Sequence, residues 1–306
     1  SSRCQDSKEY AVGKSARVQN ARLVELRAQQ AKAERRSKLM IAGATVAVVA
    51  IVVVALVIAA LQGSKDVTGQ SATALDQATF AKLTSVPVTA LDTVGVGTSD
   101  NAPKTIDAPA LTKDGKPRVL YVGAEYCPYC ATERWPLVVA LSRFGTWNNL
   151  SAAFSAPAPE VNANTATVSF HGATFSSQYV SFTGYETSTN KQTNGQWGKL
   201  DTLEGEDLAL FQKYNAPPYV QSSGAIPWID LGGTSIQAGA SYDSKVLTGK
   251  TQAEIAAALS DPTTDIAKGV NGAANVLTAQ ICSSTNQQPT AVCTAPGVVA
   301  AAATLK

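Results

Sequence analysis

Hydrophobic residues crowd one stretch of this chain and are spread through the rest in shorter, patterned runs. From Leu39 to Leu61, 23 consecutive positions carry no charge and no proline. A helix over them would extend roughly 35 Å, enough to cross a hydrocarbon core about 30 Å thick. Core helices of globular domains keep a polar face over such a length, so the run predicts a transmembrane helix. A cleaved signal peptide is the competing reading. Here 38 residues precede the run, and it ends Ala59-Ala60-Leu61-Gln62 without a clear small-x-small site. The run also exceeds the apolar core of about 7–15 residues that signal peptides carry, so a retained anchor is the expectation.

Residues 15–38 are rich in Ala, Gln, Arg and Glu with no Gly or Pro, and predict a helical tail leading into the anchor. Residues 62–73 (QGSKDVTGQSAT) read as a polar linker, and residues 74–306 as one large domain. Within it the pattern predicts a helix over Leu75–Leu83 ended by Pro87, then a short strand over Val88–Val94. Arg118–Val122 (RVLYV), bounded by Pro117 and Gly123, reads as a buried strand. Thr132–Phe144 has helical spacing, with Trp135, Val138, Val139 and Leu141 on one side and a kink expected at Pro136. The polar stretch 148–200 reads as an insertion with strand-like pieces at Thr167–Phe170 and Tyr179–Phe182. Helical spacing resumes over Glu204–Tyr214. Ile226–Leu231 and Ser235–Ala240 flank Gly232-Gly233-Thr234 as a hairpin. Thr251 with Glu254 forms a capping box that opens a helix through Leu259, and a last helix covers Asp265–Cys282. Alternating strands and helices make the fold class α/β.

Charge orients the anchor. Residues 1–38 hold ten Lys/Arg against four Asp/Glu, whereas residues 62–306 hold fifteen against nineteen. Arg27, Lys32, Arg35, Arg36 and Lys38 crowd the membrane run. The expected topology is therefore single-pass in the cell membrane, N-terminus cytoplasmic and the large domain extracytoplasmic. Next to a membrane helix the basic tail points to anionic lipid headgroups rather than to nucleic acid. Cys4 then lies alone on the reducing side, and Cys127, Cys130, Cys282 and Cys293 lie outside, where disulfides persist. Four cysteines allow three pairings; the spacings favour 127–130 and 282–293, the latter as a structural staple.

A strand, then Cys127-Pro128-Tyr129-Cys130, then a helix is the arrangement of a reactive dithiol. Cys127 falls at the helix start, where free N–H groups and the dipole favour a thiolate, and Pro128 suits the first turn. Cys127 is expected to be the exposed, acidic thiol, with Cys130 one turn inside. Half of a zinc site is one alternative, but the chain offers only His171 and no second C-x-x-C. An inert disulfide is the other, and so small a ring is a poor staple. No metal and no cofactor are expected. Glu125 and Glu133 flank the motif as tuning or solvated charges, His171 as a strand or loop residue, and Trp135 and Phe144 as helix-face core. Ala225-Ile226-Pro227-Trp228-Ile229-Asp230 places a proline at a strand start before the hairpin. In thioredoxin-fold proteins a cis-proline at that point lies beside the C-x-x-C and leaves the adjacent backbone free for a substrate, which singles out Pro128, Tyr129, Ile226 and Pro227 as substrate-binding.

Gly123–Gly145 (GAEYCPYCATERWPLVVALSRFG), Thr167–Thr187 and Gly224–Gly233 resemble an uncharacterised thioredoxin-like family of actinobacterial single-pass membrane proteins. The resemblance implies a thioredoxin-like fold, a membrane context and the motif cysteines Cys127 and Cys130; it implies no established activity. Two features depart from better-known relatives: Tyr121 stands where they carry a buried carboxylate six residues before the first cysteine, and Ile226 precedes the proline instead of Thr or Val. The tetrapeptide is that of glutaredoxins, yet no glutathione-binding set is evident. The expected function is a membrane-anchored thiol–disulfide oxidoreductase acting through mixed disulfides on exported or membrane proteins, with Cys127 and Cys130 as catalytic residues. The alternative is a redox-inactive interaction module, an accessory subunit of a membrane complex.

Overall fold

The computed structural model describes residues 66–305, so the tail and the expected membrane run at 39–61 lie outside the described residues. No helix among the described residues is long and apolar enough to cross a membrane. The domain is mixed α/β. Its central sheet has six strands: β1 (Lys104–Thr105), β2 (Thr112–Lys113), β3 (Lys116–Gly123), β4 (Ser181–Glu186), β5 (Trp228–Leu231) and β6 (Ser235–Ala238). The order is β4-β3-β5-β6-β1, with β2 paired to the start of β3. β4 runs parallel to β3, Tyr185 opposite Val122; β5 runs antiparallel to it, Ile229 opposite Tyr121.

Helices flank this sheet: α1 (Gln77–Thr84), α2 (Val88–Val94), α3 (Pro128–Ser142), α4 (Gly205–Tyr214), α5 (Gln252–Ala258), α6 (Asp265–Ser284), α7 (Thr290–Cys293) and α8 (Pro296–Ala302). The two-residue period of β3 divides the core. Val119 and Tyr121 join Ile229, Leu231 and the buried faces of α3 and α6 in the larger cluster. Leu120 and Val122 point the other way, to Trp228, Ile236 and Tyr214 of α4. The Thr251–Glu254 capping box is present at the start of α5. Cys282 at the end of α6 is disulfide-bonded to Cys293 of α7.

Four expectations need correction. Val88–Val94 is a helix, not a strand. Its valines and threonines suggest extended backbone, but Ala90 and Leu91 are buried side by side, which no single strand face allows. Tertiary contacts override the propensity: Gly95, at φ 58°, ends the helix, and Asn275 Nδ2 of α6 donates to the Leu91 and Gly95 carbonyls at 2.8 and 2.7 Å. The 62–73 linker is partly docked, because Val67–Thr68 pairs with the strand Ser188–Thr193 and Thr73 with Ala152. An exposed edge strand and a linker share a polar composition, so the sequence does not separate them. The 148–200 stretch is not one separable insertion, since it supplies β4, an edge strand of the central sheet. Finally, α3 has no polar face: besides Trp135, Val138, Val139 and Leu141, it buries Thr132, Glu133 and Arg134 completely. Pro136 lies inside this helix. Pro136 cannot donate to the Thr132 carbonyl one turn back, and the Tyr242 hydroxyl does so instead at 3.0 Å.

Candidate functional site

Strand β3 ends at Gly123, the chain turns through Ala124–Tyr126, and α3 starts at once. Cys127 is the N-cap, with extended backbone, and Pro128 opens the first turn. The Cys130 amide N–H donates to Cys127 Sγ at 3.1 Å, so the sulfur takes the place of a capping oxygen. Cys127 and Cys130 are both free thiols. The Ile226–Pro227 peptide, just before β5, is cis, and the Ile226 carbonyl accepts from Cys127 Sγ at 3.7 Å. The fold thus brings Cys127, Pro128, Cys130 and Ile226 together from elements almost a hundred residues apart. Tyr129 stands out from the motif at 45% exposure. Beside it opens a cleft of about 550 Å³ lined by Asp100, Tyr129, Asn162, Ile226, Tyr242 and Lys245. Tyr126, next to Cys127 in the chain, stacks on Trp197 with ring centroids 4.5 Å apart.

The expected exposure of Cys127 is overturned: it is 5% exposed, and Cys130 is fully buried. The two sulfurs differ in acidity nonetheless. Burial pushes the Cys127 thiol up, but hydrogen bonds from Cys130 and from the Tyr129 N–H, with the Arg134 guanidinium, outweigh it and hold the thiol below its ordinary range. Burial and the neighbouring Cys127 push the Cys130 thiol well above it.

Behind the cysteines lies a polar cluster that the sequence reading passed over. Arg134 and Glu186 of β4 form a fully buried ion pair, with Nε to Oε1 at 2.7 Å and Nη2 to Oε2 at 2.5 Å. Arg134 Nη2 also donates to the Ala124 carbonyl at 2.8 Å. Glu186 keeps Arg134 charged against the pull of burial, and burial lifts the Glu186 carboxyl despite Arg134. Arg134 follows Cys130 by four residues and so shares its helix face, which was a usable signal. Glu186 had none, because only the parallel pairing of β4 with β3 brings it here. The solvated reading of Glu125 and Glu133 is overturned. Glu125 is buried and accepts from Ser169 Oγ at 2.8 Å. Glu133 is fully buried and accepts from the Ser241 N–H at 2.8 Å and Ser241 Oγ at 2.7 Å. His171 is a surface residue bonded to Asp201 at 2.6 Å, while Trp135 and Phe144 are core.

No curated protein and no solved structure matches this chain. A family model for a domain of unknown function, DUF929, matches residues 103–283, more than half of the sequence. That span holds the whole central sheet, both motif cysteines, Arg134, Glu186 and Pro227. The chain therefore belongs to the DUF929 family.

Proposed function

We propose that this protein is a membrane-anchored, extracytoplasmic thiol–disulfide oxidoreductase of thioredoxin-like fold, acting on exported or membrane proteins. One observation carries the reading: a helix-capping sulfur at Cys127, 3.1 Å from the Cys130 N–H, with the Ile226 backbone carbonyl against it. The topology supports the fold assignment. A strand, a C-x-x-C helix, a parallel strand, a helix, an antiparallel hairpin led by proline and a final helix follow one another as β3, α3, β4, α4, β5–β6 and α6. The anchor and its orientation rest on the uncharged run 39–61 and the basic tail before it.

In this reading the Cys127 thiolate attacks one sulfur of a substrate disulfide. A Cys127–substrate S–S bond forms, the substrate S–S bond breaks, and the departing thiolate takes a proton from solvent. Cys130 then gives its proton to solvent and attacks Cys127 Sγ, which closes the Cys127–Cys130 disulfide and frees the second substrate sulfur, protonated from solvent. The substrate gains two electrons and the dithiol loses two; the reverse sequence oxidises a substrate. A separate dithiol or disulfide partner at the membrane resets the pair. Pro128, Tyr129, Ile226 and Pro227 border the approach to Cys127 and would meet the substrate chain.

The 5% exposure of Cys127 favours a second reading, in which the dithiol is structural and the domain is an interaction module of a membrane complex. A trapping experiment separates the two. With Cys130→Ala expressed in cells, mixed disulfides through Cys127 should accumulate, and they should vanish when Cys127→Ala is added. If Cys130→Ala captures nothing, the oxidoreductase reading fails and the interaction module stands.

A further inference from the structure

The Arg134–Glu186 pair could be no more than a tie between α3 and β4, yet the cluster leaves two donors unused. Arg134 Nη1 and Tyr121 Oη are buried, and neither has a hydrogen-bond partner among the described residues. An orphaned buried donor costs about 1–3 kcal/mol, so two of them in one cluster need a reason. Their placement is specific. Tyr121 is fully buried on β3, and its hydroxyl occupies the space above Gly123, where an added Cβ would come within 2.1 Å of it. The glycine therefore makes room for the hydroxyl directly before the turn that leads to Cys127. Arg134 stands one helical turn past Cys130, fixed on its other nitrogens by Glu186 and the Ala124 carbonyl. Both groups lie within electrostatic range of both sulfurs.

We propose that Arg134 and Tyr121 are positioning residues that stabilise negative charge on the Cys127 sulfur when it attacks and on the Cys130 sulfur when it resolves the mixed disulfide. This rests on the oxidoreductase reading and names the buried groups that serve it. Arg134 supplies a fixed positive charge. Tyr121 keeps its proton, because burial holds its hydroxyl far above the ordinary range, so it acts as a donor and never as a base. In the resolving step Cys130 gives its proton to solvent, its sulfur bonds to Cys127 Sγ, and the Cys127–substrate bond breaks. The electron pair departs on the substrate sulfur, which is protonated from solvent. In this proposal the two donors act on a full negative charge only while a sulfur is ionised. Among the described residues, the other titratable groups near the cluster are Glu186 of β4, paired to Arg134, Glu125 of the β3–α3 turn, whose charge bears on Glu186, and Tyr126, which lies within electrostatic range of both sulfurs.

The test is the pH profile of alkylation at Cys127 and Cys130 in the reduced full chain, read cysteine by cysteine by peptide mass spectrometry with iodoacetamide. Tyr121→Phe removes only the unpartnered hydroxyl and leaves the ring packed on Phe170, 4.9 Å between centroids. Arg134→Met with Glu186→Met removes both charges of the pair, so no lone ion is left buried. Arg134→Lys tests conservative rescue. The double variant should cut Cys127 alkylation at pH 7 by about tenfold, equivalent to one pK unit of thiolate population. Tyr121→Phe should shift the Cys130 profile to higher pH, and Arg134→Lys should restore most of the wild-type Cys127 profile. If Tyr121→Phe and the folded double variant both keep the wild-type profile, the inference falls and the oxidoreductase reading stands. If wild-type Cys127 itself titrates as an ordinary thiol, the oxidoreductase reading loses its acidic nucleophile, whatever the variants do.

Discussion

Glu133 should make the stability of this domain fall as pH rises through neutrality. Its carboxyl is fully buried on α3 and, among the described residues, accepts only from Ser241 and has no cation against it. Burial lifts its pKa from 4.5 to about 8, although the two Ser241 hydrogen bonds pull the other way. Between those two values the folded chain holds a proton that the unfolded chain has released. The stabilisation is therefore complete below the unfolded pKa and is lost as pH rises through the folded one. Integrated from pH 6 to pH 8, with a margin of one unit on the folded pKa, the loss is about 1–3 kcal/mol. Glu133→Gln isolates this contribution. The amide oxygen can accept from the Ser241 N–H, and the amide nitrogen can donate to Ser241 Oγ, so the variant mimics the protonated acid without its titration. Urea unfolding of the full chain at pH 6, 7 and 8, followed by tryptophan emission, should show wild type losing stability relative to Glu133→Gln across the series. Equal pH slopes for the two proteins, or a wild type that gains on the variant at pH 8, would refute the reasoning.

Cys282→Ala with Cys293→Ala opens a loop closed over a separation of 11 residues and should lower unfolding stability by about 3 kcal/mol on the chain-entropy account; an unchanged urea midpoint would exclude it. Tyr242→Phe removes the donor that serves the Thr132 carbonyl in place of Pro136 and should cost about 1–2 kcal/mol. In a Pro136→Ala background the restored N–H can serve that carbonyl, so the same Tyr242→Phe change should cost less; equal costs in the two backgrounds would show that the hydroxyl does not replace the missing N–H.

What the sequence revealed depended on how local each signal was. β3, the β5–β6 hairpin, the α5 capping box and the start of α6 each follow from residues within one turn or one strand, and the structure places them within a few positions of expectation. α2 was misread because its fate lies with Asn275, which sits on α6 far along the chain and closes the helix end. β4 shows in the sequence only as the strand-like piece Tyr179–Phe182 for a similar reason: Ser181–Glu186 carries three polar residues in six, and its parallel ladder to β3 makes it a strand of the central sheet. The same divide runs through the candidate site. The dithiol was legible because spacing, proline and helix onset are local. The charges around it were not, because a Glu or Arg reads as surface until a partner is known, and Glu186, Ser169 and Ser241 reach Arg134, Glu125 and Glu133 only through the fold. Burial also changes what such a residue does. On a solvated surface Arg134 would be screened from the sulfurs, whereas in a closed core its charge acts on both thiols at low dielectric. The acidity of Cys127 is therefore a property of the β3–β4–α3 assembly as much as of the tetrapeptide, and a C-P-Y-C motif on another scaffold carries no guarantee of it.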